Sequence, residues 1–328
     1  MKKICDLKQK TEELLNGKIG IKLYFVLKTA EGRQVKAVNI ADETLTASKD
    51  DTTSETLLKG FKDSFMQKME GYEEEDEILA LSSADERKNA IFYYDLDELP
   101  EEMQELLNVM NQNQKYETFQ FAEDSLNEIA AFLIVIGNSK EKLSLYRQQY
   151  PISLLKRDKC MLTPIPHANR LKKITEDILR VDFNFQFFSY QNVVYVTDVD
   201  RIEKICGFNE IIKKEAARSI VAIESAGLID DIEVLRDELD NTAFARKLTR
   251  IYRDSKVLKS VNKSEIIDFT RKHNYFQKNP LKLNATGDRF ILDTKRSKNT
   301  FMKLLNDDLL TSALTKAEYE SLAKNSVG

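Results

Sequence analysis

A chain of 328 residues with 42% hydrophobic and 32% charged positions, ten Gly and five Pro has the composition of a folded protein, which excludes wholesale disorder. Its longest apolar run, Ile129 to Ile136, is eight residues against the roughly twenty that a bilayer span needs, so neither a membrane helix nor a signal peptide is expected. The net charge of −4 conceals two opposed segments: Asn39 to Glu128 holds 24 Asp or Glu against seven Lys or Arg, and Asn241 to Lys303 holds sixteen basic residues against five acidic ones.

In chain order, a short helix is expected near Asp6 to Leu15. Gly20 to Thr29 then alternates Ile21, Leu23, Phe25 and Leu27 against Lys22, Tyr24, Val26 and Lys28, turns at Glu31-Gly32 and returns over Gln34 to Ile40, the pattern of a β-hairpin. Ser54 to Met69 spaces Leu57, Leu58, Phe61, Phe65 and Met69 as a helix does, Ile78 to Ser82 and Asn89 to Tyr94 read as extended, and Pro100 opens a helix through Met110. Ala130 to Ile136 is a buried strand. The resulting order predicts an α+β fold with an antiparallel or mixed sheet and helices on one side.

Three of the five prolines fall between Tyr150-Pro151 and Pro164-Ile165-Pro166, which places an expected boundary there. Residues 1–150 would form an acidic α+β domain and residues 151–328 a basic, mostly helical domain. The second would begin with a helix from Asn169 to Leu179 and an aromatic hairpin in which Val181, Phe183, Phe185 and Phe187 alternate before Gln191-Asn192 turns into Val193 to Thr197. From Phe208 onward helices dominate.

The basic segment is the main functional lead. On a helix from Asn241 to Leu258, Phe244, Leu248, Ile251, Ser255 and Leu258 share one stripe, while Arg246, Lys247, Arg250 and Arg253 fall opposite as a cationic ridge. Like charges at these spacings repel unless an anion offsets them. Lys256, Lys259, Lys263, Arg271 and Lys272 continue the run; Asp288 to Thr294 reads as a strand, and Lys295, Arg296 and Lys298 open a helix with Ser297 as its N-cap. A single cationic helix face is most often merely solvated, but an excess that persists over several elements points to a polyanion, and these twelve residues are the candidate nucleic-acid contacts. Tyr252, Tyr275 and Phe276 are placed where they could stack on bases or belong to the core. The acidic run Glu73, Glu74, Glu75, Asp76 and Glu77 is the candidate partner-binding surface, since consecutive carboxylates do not converge on one metal.

No G-x-G-x-x-G, Walker-type, H-E-x-x-H or G-x-S-x-G motif occurs, so no cofactor, metal set or catalytic residue is assigned. His167 and His273 are isolated, and Cys5, Cys160 and Cys206 are widely spaced, as befits reduced thiols in the cytoplasm. The one enzymatic alternative is a metal-dependent nuclease, from Asp293-Thr294-Lys295 following Asp288.

The C-terminal stretch Phe301-Met302-Lys303-Leu304-Leu305-Asn306-Asp307-Asp308-Leu309-Leu310-Thr311-Ser312, followed by Leu314-Thr315 and Tyr319, resembles the closing segment of the KwaB family, soluble subunits of the bacterial Kiwa anti-phage system. The resemblance implies a DNA-binding effector, dimeric, that works with the membrane protein KwaA at the inner membrane without inserting itself, and that impedes phage DNA replication or expression. It carries over no catalytic residue. The same tail also reads physically as a helix with a Thr315-Lys316-Ala317-Glu318 capping box, packed through its leucines. An adaptor whose acidic surface docks on the basic cytosolic loops of a membrane protein is the further alternative.

Overall fold

The computed structural model describes residues 3–40, 52–83, 89–112, 114–150, 154–155, 162–165, 170–173, 177–311 and 318–320. α1 (Ile4–Leu15) leads into the expected hairpin, β1 (Gly20–Thr29) and β2 (Gly32–Val38). On β1, Leu23, Phe25 and Leu27 point to one face and Tyr24 and Val26 to the other, and all five are buried. α2 (Thr53–Glu70) is fixed at its start by a capping box, in which the Thr52 hydroxyl accepts from the Glu55 amide and the Glu55 carboxylate accepts from the Thr52 amide. It lays Phe61, Phe65 and Met69 on the Phe25 face. β3 (Leu79–Ala80), a 3-10 turn at Leu81–Ser83 and β4 (Phe92–Tyr93) follow, shorter than the extended stretches expected. Next come α3 (Glu101–Asn111), β5 (Ile129–Gly137) and β6 (Lys142–Gln148).

The region after Pro151 departs most from expectation. β7 (Leu154–Leu155) pairs antiparallel with β10 (Ile178–Leu179), and β8 (Leu162–Ile165) with β9 (Arg170–Lys173), apart from the main sheet. The helix expected from Asn169 to Leu179 is therefore replaced by strands at Arg170–Lys173 and Ile178–Leu179; Asn169 and residues 174–176 lie outside the described residues. Leu171, Ile174 and Ile178 mimic helical spacing in the sequence, but a partner strand supplies the backbone hydrogen bonds instead. β11 (Phe187–Tyr190) and β12 (Val193–Val196) form the hairpin, with Gln191 and Asn192 at φ 49° and 61°, but its first strand begins only at Phe187, so the expected alternation at Val181, Phe183 and Phe185 lies ahead of it outside the strand. Two consecutive positive φ values mark a two-residue turn whose twist matches the strands.

The main sheet has the order β2-β1-β5-β6-β11-β12-β4-β3 and is antiparallel except between β3 and β4. It draws strands from both sides of residue 151, since β11 pairs with β6 and β12 with β4. Helices cover both faces rather than the one side expected. α1 and α2 pack over Phe25, Phe132, Ile134 and Phe188. On the other face Tyr24, Val26, Leu133 and Phe187 join a core that continues through α3, α4 (Val199–Ile205) and α5 (Phe208–Ser225). Beyond these lie α6 (Glu233–Arg236), α7 (Thr242–Asp254), α8 (Lys256–Ser260), α9 (Lys263–Lys272) and α10 (Asn274–Lys278). The short pair β13 (Lys282–Leu283) and β14 (Phe290–Ile291), α11 (Lys295–Leu305) and the pair β15 (Leu309–Thr311) with β16 (Glu318–Glu320) complete the chain.

Four C-terminal expectations are corrected. The helix from Asn241 to Leu258 is two helices, because Ser255 leaves the helical region, donates its hydroxyl to the Leu305 carbonyl at 2.6 Å and accepts from the Leu258 amide at 3.0 Å. The N-cap of α11 is Thr294, with Ser297 as its capping-box partner, and the expected strand Asp288 to Thr294 shrinks to Phe290–Ile291. Glu318–Glu320, expected in a helix, is a strand, while Leu314 and Thr315 to Ala317 lie outside the described residues.

Polar contacts and charge pairs join the acidic half to α5 and α7. Arg253 on α7 donates to the Asp95 carboxylate at 2.8 Å and to the Ser82 hydroxyl at 3.1 Å. Arg246 reaches the Leu81 carbonyl at 3.0 Å, Arg218 reaches Asp97 at 3.6 Å, and Lys214 pairs with Glu98. Asp95 is well shielded and Glu98 is exposed, so Arg253→Glu should cost about 2 kcal/mol or more in urea unfolding, by setting two carboxylates together under cover. Lys214→Glu should cost under about 1 kcal/mol. Gly137, at the end of β5, has φ 156°, and a Cβ there would stand 2.3 Å from the Glu141 carbonyl oxygen. Gly137→Ala should therefore lower stability by roughly 2 kcal/mol or more, read as a fall in melting temperature.

Candidate nucleic-acid interface

α7 is an amphipathic helix as its sequence requires: Asn241 caps it, and Phe244, Ala245, Leu248 and Ile251 are buried, with α5 as its main neighbour. Its cationic side is not the free ridge expected. Arg246, Lys247, Arg250 and Arg253 are all half-buried. Arg246 and Arg253 turn back onto Leu81, Ser82 and Asp95, Arg250 lies 3.9 Å from Asp254, and Lys247 approaches Asn299 on α11 at 3.5 Å. Burial opposes the Arg253 charge, but Asp95 and Asp254 outweigh it and raise its pKa. The physical reason is the guanidinium fork, which can satisfy several acceptors at once while its stem packs.

The remaining candidates divide by exposure. Lys298 is largely covered and holds Glu238 at 2.7 Å, which keeps that carboxylate below its ordinary range. Lys263 pairs with Asp288 at 2.9 Å, and Arg271 sits 3.4 Å from both Asp268 and the Gly287 carbonyl. These two cations flank a cavity of about 530 Å³ between the start of α9 and the turn before β14. Hydrogen bonds from Thr286, Lys263 and Asn284 hold Asp288 far below the usual carboxylate range. Lys256, Lys259, Lys272, Lys295 and Arg296 are exposed, Arg296 being anchored on Asn279 at 2.7 Å. Lys278 and Arg289 are exposed as well. Tyr252 is 49% exposed, whereas Phe276 is buried and Tyr275 half-buried; Phe269, 40% exposed, is an aromatic the spacing did not flag.

The carboxylates behind the nuclease alternative are held apart by different lysines, Asp288 by Lys263 and Asp293 by Lys282 at 2.6 Å. Among the described residues no group of three or more His, Cys, Asp and Glu is arranged to hold a metal ion. On the acidic side, Glu73, Glu74 and Glu75 are exposed between α2 and β3. Asp76 and Glu77 are half-buried, because the Asp76 carbonyl accepts from the Ile4 amide and Glu77 bridges to Lys3. His273, buried at the junction of α9 and α10, accepts from the Tyr275 amide through Nδ1 and stacks near Phe269.

Among the described residues no helix is long and apolar enough to cross a membrane. No solved structure matches the chain. Over 320 residues, 97% of this chain and 97% of the relative, it is 28% identical to the Kiwa protein KwaB of Escherichia coli O55:H7 (strain RM12579 / EPEC). The family profile described as Kiwa protein KwaB-like matches residues 126–315, from the start of β5 past α11 and so across every basic element considered above. The chain belongs to the KwaB-like family of Kiwa proteins.

Proposed function

We propose that this protein serves anti-phage defence as a DNA-binding effector, gripping duplex phosphates largely without regard to sequence through its basic C-terminal surface. The observation that carries the reading is the excess of sixteen basic over five acidic residues from Asn241 to Lys303, of which Lys256, Lys259, Arg271, Lys272, Lys278, Lys282, Arg289, Lys295 and Arg296 remain exposed after folding. Arg246, Arg253 and Lys298 contribute by position: they hold the helices that present the others. In this reading the chain acts as a homodimer beside the membrane protein KwaA and impedes phage DNA replication or expression. The exposed carboxylates of Glu73 to Glu75 favour one further role, docking on basic cytosolic loops of that membrane partner.

A titration of the purified protein with a 30-base-pair duplex tests this. If six to ten cations meet phosphate, affinity should fall roughly 10³- to 10⁵-fold between 50 and 200 mM salt. The combined variant Lys256→Glu, Lys272→Glu and Lys295→Glu should bind every sequence more weakly while melting at the wild-type temperature, since all three side chains are exposed. A flat salt dependence would reject the reading. Fragmented DNA on adding Mg²⁺ would favour the nuclease instead.

A further inference from the structure

The pairs β7–β10 and β8–β9 are nested along the chain, with Leu155 opposite Ile178 and Leu154 opposite Leu179, then Leu162 opposite Lys173 and Ile165 opposite Arg170. Neither joins the main sheet. Alternate residues of a strand face opposite ways, so Arg170 and Lys172 share one face of the β8–β9 ribbon and Leu171 and Lys173 the other. All four are exposed, Leu171 by 63%. Neither face at β9 is therefore covered by the body of the protein, and an isolated two-stranded ribbon is marginal in water. Its eight strand residues, Leu-Thr-Pro-Ile and Arg-Leu-Lys-Lys, carry three positive charges and no acid.

We propose that this ribbon is a second nucleic-acid element, an arm that enters the major groove of the duplex held by the basic helices; it rests on the DNA-binding reading above. Two strands about 4.8 Å apart, with side chains, suit a groove about 12 Å wide and are too broad for an undistorted minor groove of about 6 Å. Arg170 and Lys172 on one face and Lys173 on the other can meet phosphates or base edges on either wall, while Leu171 supplies an apolar contact such as a thymine methyl accepts. A second copy of the chain is a poorer occupant. Edge-to-edge pairing would set three cations against three cations, and Pro164 within β8 discourages further strand addition.

The test compares wild type with the combined variant Arg170→Ala, Lys172→Ala and Lys173→Ala on two duplexes of one sequence, one unmodified and one whose cytosines carry a bulky C5 substituent that fills the major groove. The variant should melt as wild type does, bind the unmodified duplex about 10- to 100-fold more weakly at 150 mM salt, and show a salt slope lower by roughly two to three. The bulky substituent should weaken wild type and leave the variant little changed. A variant with wild-type affinity and slope overturns the arm and leaves the helical DNA surface standing. A wild type indifferent to the groove block overturns the groove placement, and a wild type without salt-sensitive DNA binding removes both readings. Vesicles of 30% phosphatidylserine in phosphatidylcholine form the last arm: capture by wild type, lost in the variant while its DNA affinity is intact, would reassign the ribbon to a membrane surface.

Discussion

The fold follows from strands that are apolar on both sides. In β5, Phe132, Ile134 and Ile136 point one way and Ala131, Leu133 and Val135 the other, and every one is buried. At about 25 cal/mol per Å² of apolar surface, leaving either face wet would forfeit more than a domain's net stability. Both faces must be roofed. α1 and α2 roof one, and because α3 is a single helix of 11 residues, the other needs helices from the far end of the chain. The basic C-terminal segment is thus drawn onto the sheet by its own apolar stripe, and its charges are distributed by what that stripe leaves outside.

Charge follows packing in a second way. Helices that land on a sheet edge rich in acids meet partners there: Asp95 receives Arg253 of α7 under cover, and Asp97 and Glu98 meet Arg218 and Lys214 of α5 at the surface. Part of the opposition between acidic and basic segments, which in a linear sequence suggests external partners at both ends, is therefore settled inside the molecule. Exposed cations remain on α8, α9, α10 and α11 and on the β8–β9 ribbon, where the proposed ligand would meet them. Arginine dominates the inner contacts and lysine the outer ones, in keeping with a fork that satisfies several fixed acceptors and a point charge that tolerates mobile phosphates.

Much of the N-terminal half was legible because its signals are local. The β1–β2 hairpin, α2, α3, β5 and the turn at Gln191-Asn192 rest on alternation, helical spacing and turn chemistry that need no knowledge of neighbours. The misreadings have a common cause. Leu171, Ile174 and Ile178 satisfy a helical pattern in the sequence until β8 pairs with Leu171 and β7 with Ile178, and Ser255 reads as part of an apolar stripe until the Leu305 carbonyl, fifty residues away, claims its hydroxyl. Helical geometry put Arg246, Arg250 and Arg253 opposite the apolar stripe, but that stripe does not reveal that a second layer, the turn at Leu81–Ser83, lies against the opposite side. Residue type was readable; exposure was not, because exposure belongs to the contacts and not to the helix.

A chain of net charge −4 can still hold a polyanion if its charges are separated by more than the screening length, which is about 8 Å at physiological ionic strength. α2, which Glu73 to Glu75 follow in the chain, packs on the opposite face of the sheet from α7 to α11, with a helix layer about 10 Å across on each side. An anion at the C-terminal helices feels the lysines beside it and little of the acidic loop behind. At low ionic strength the screening length grows to about 30 Å at 0.01 M, and the acidic face then repels the same anion as a whole. If the proposed DNA-binding reading holds, long-range repulsion and short-range attraction together would orient the molecule, turning an approaching duplex toward the basic helices before contact.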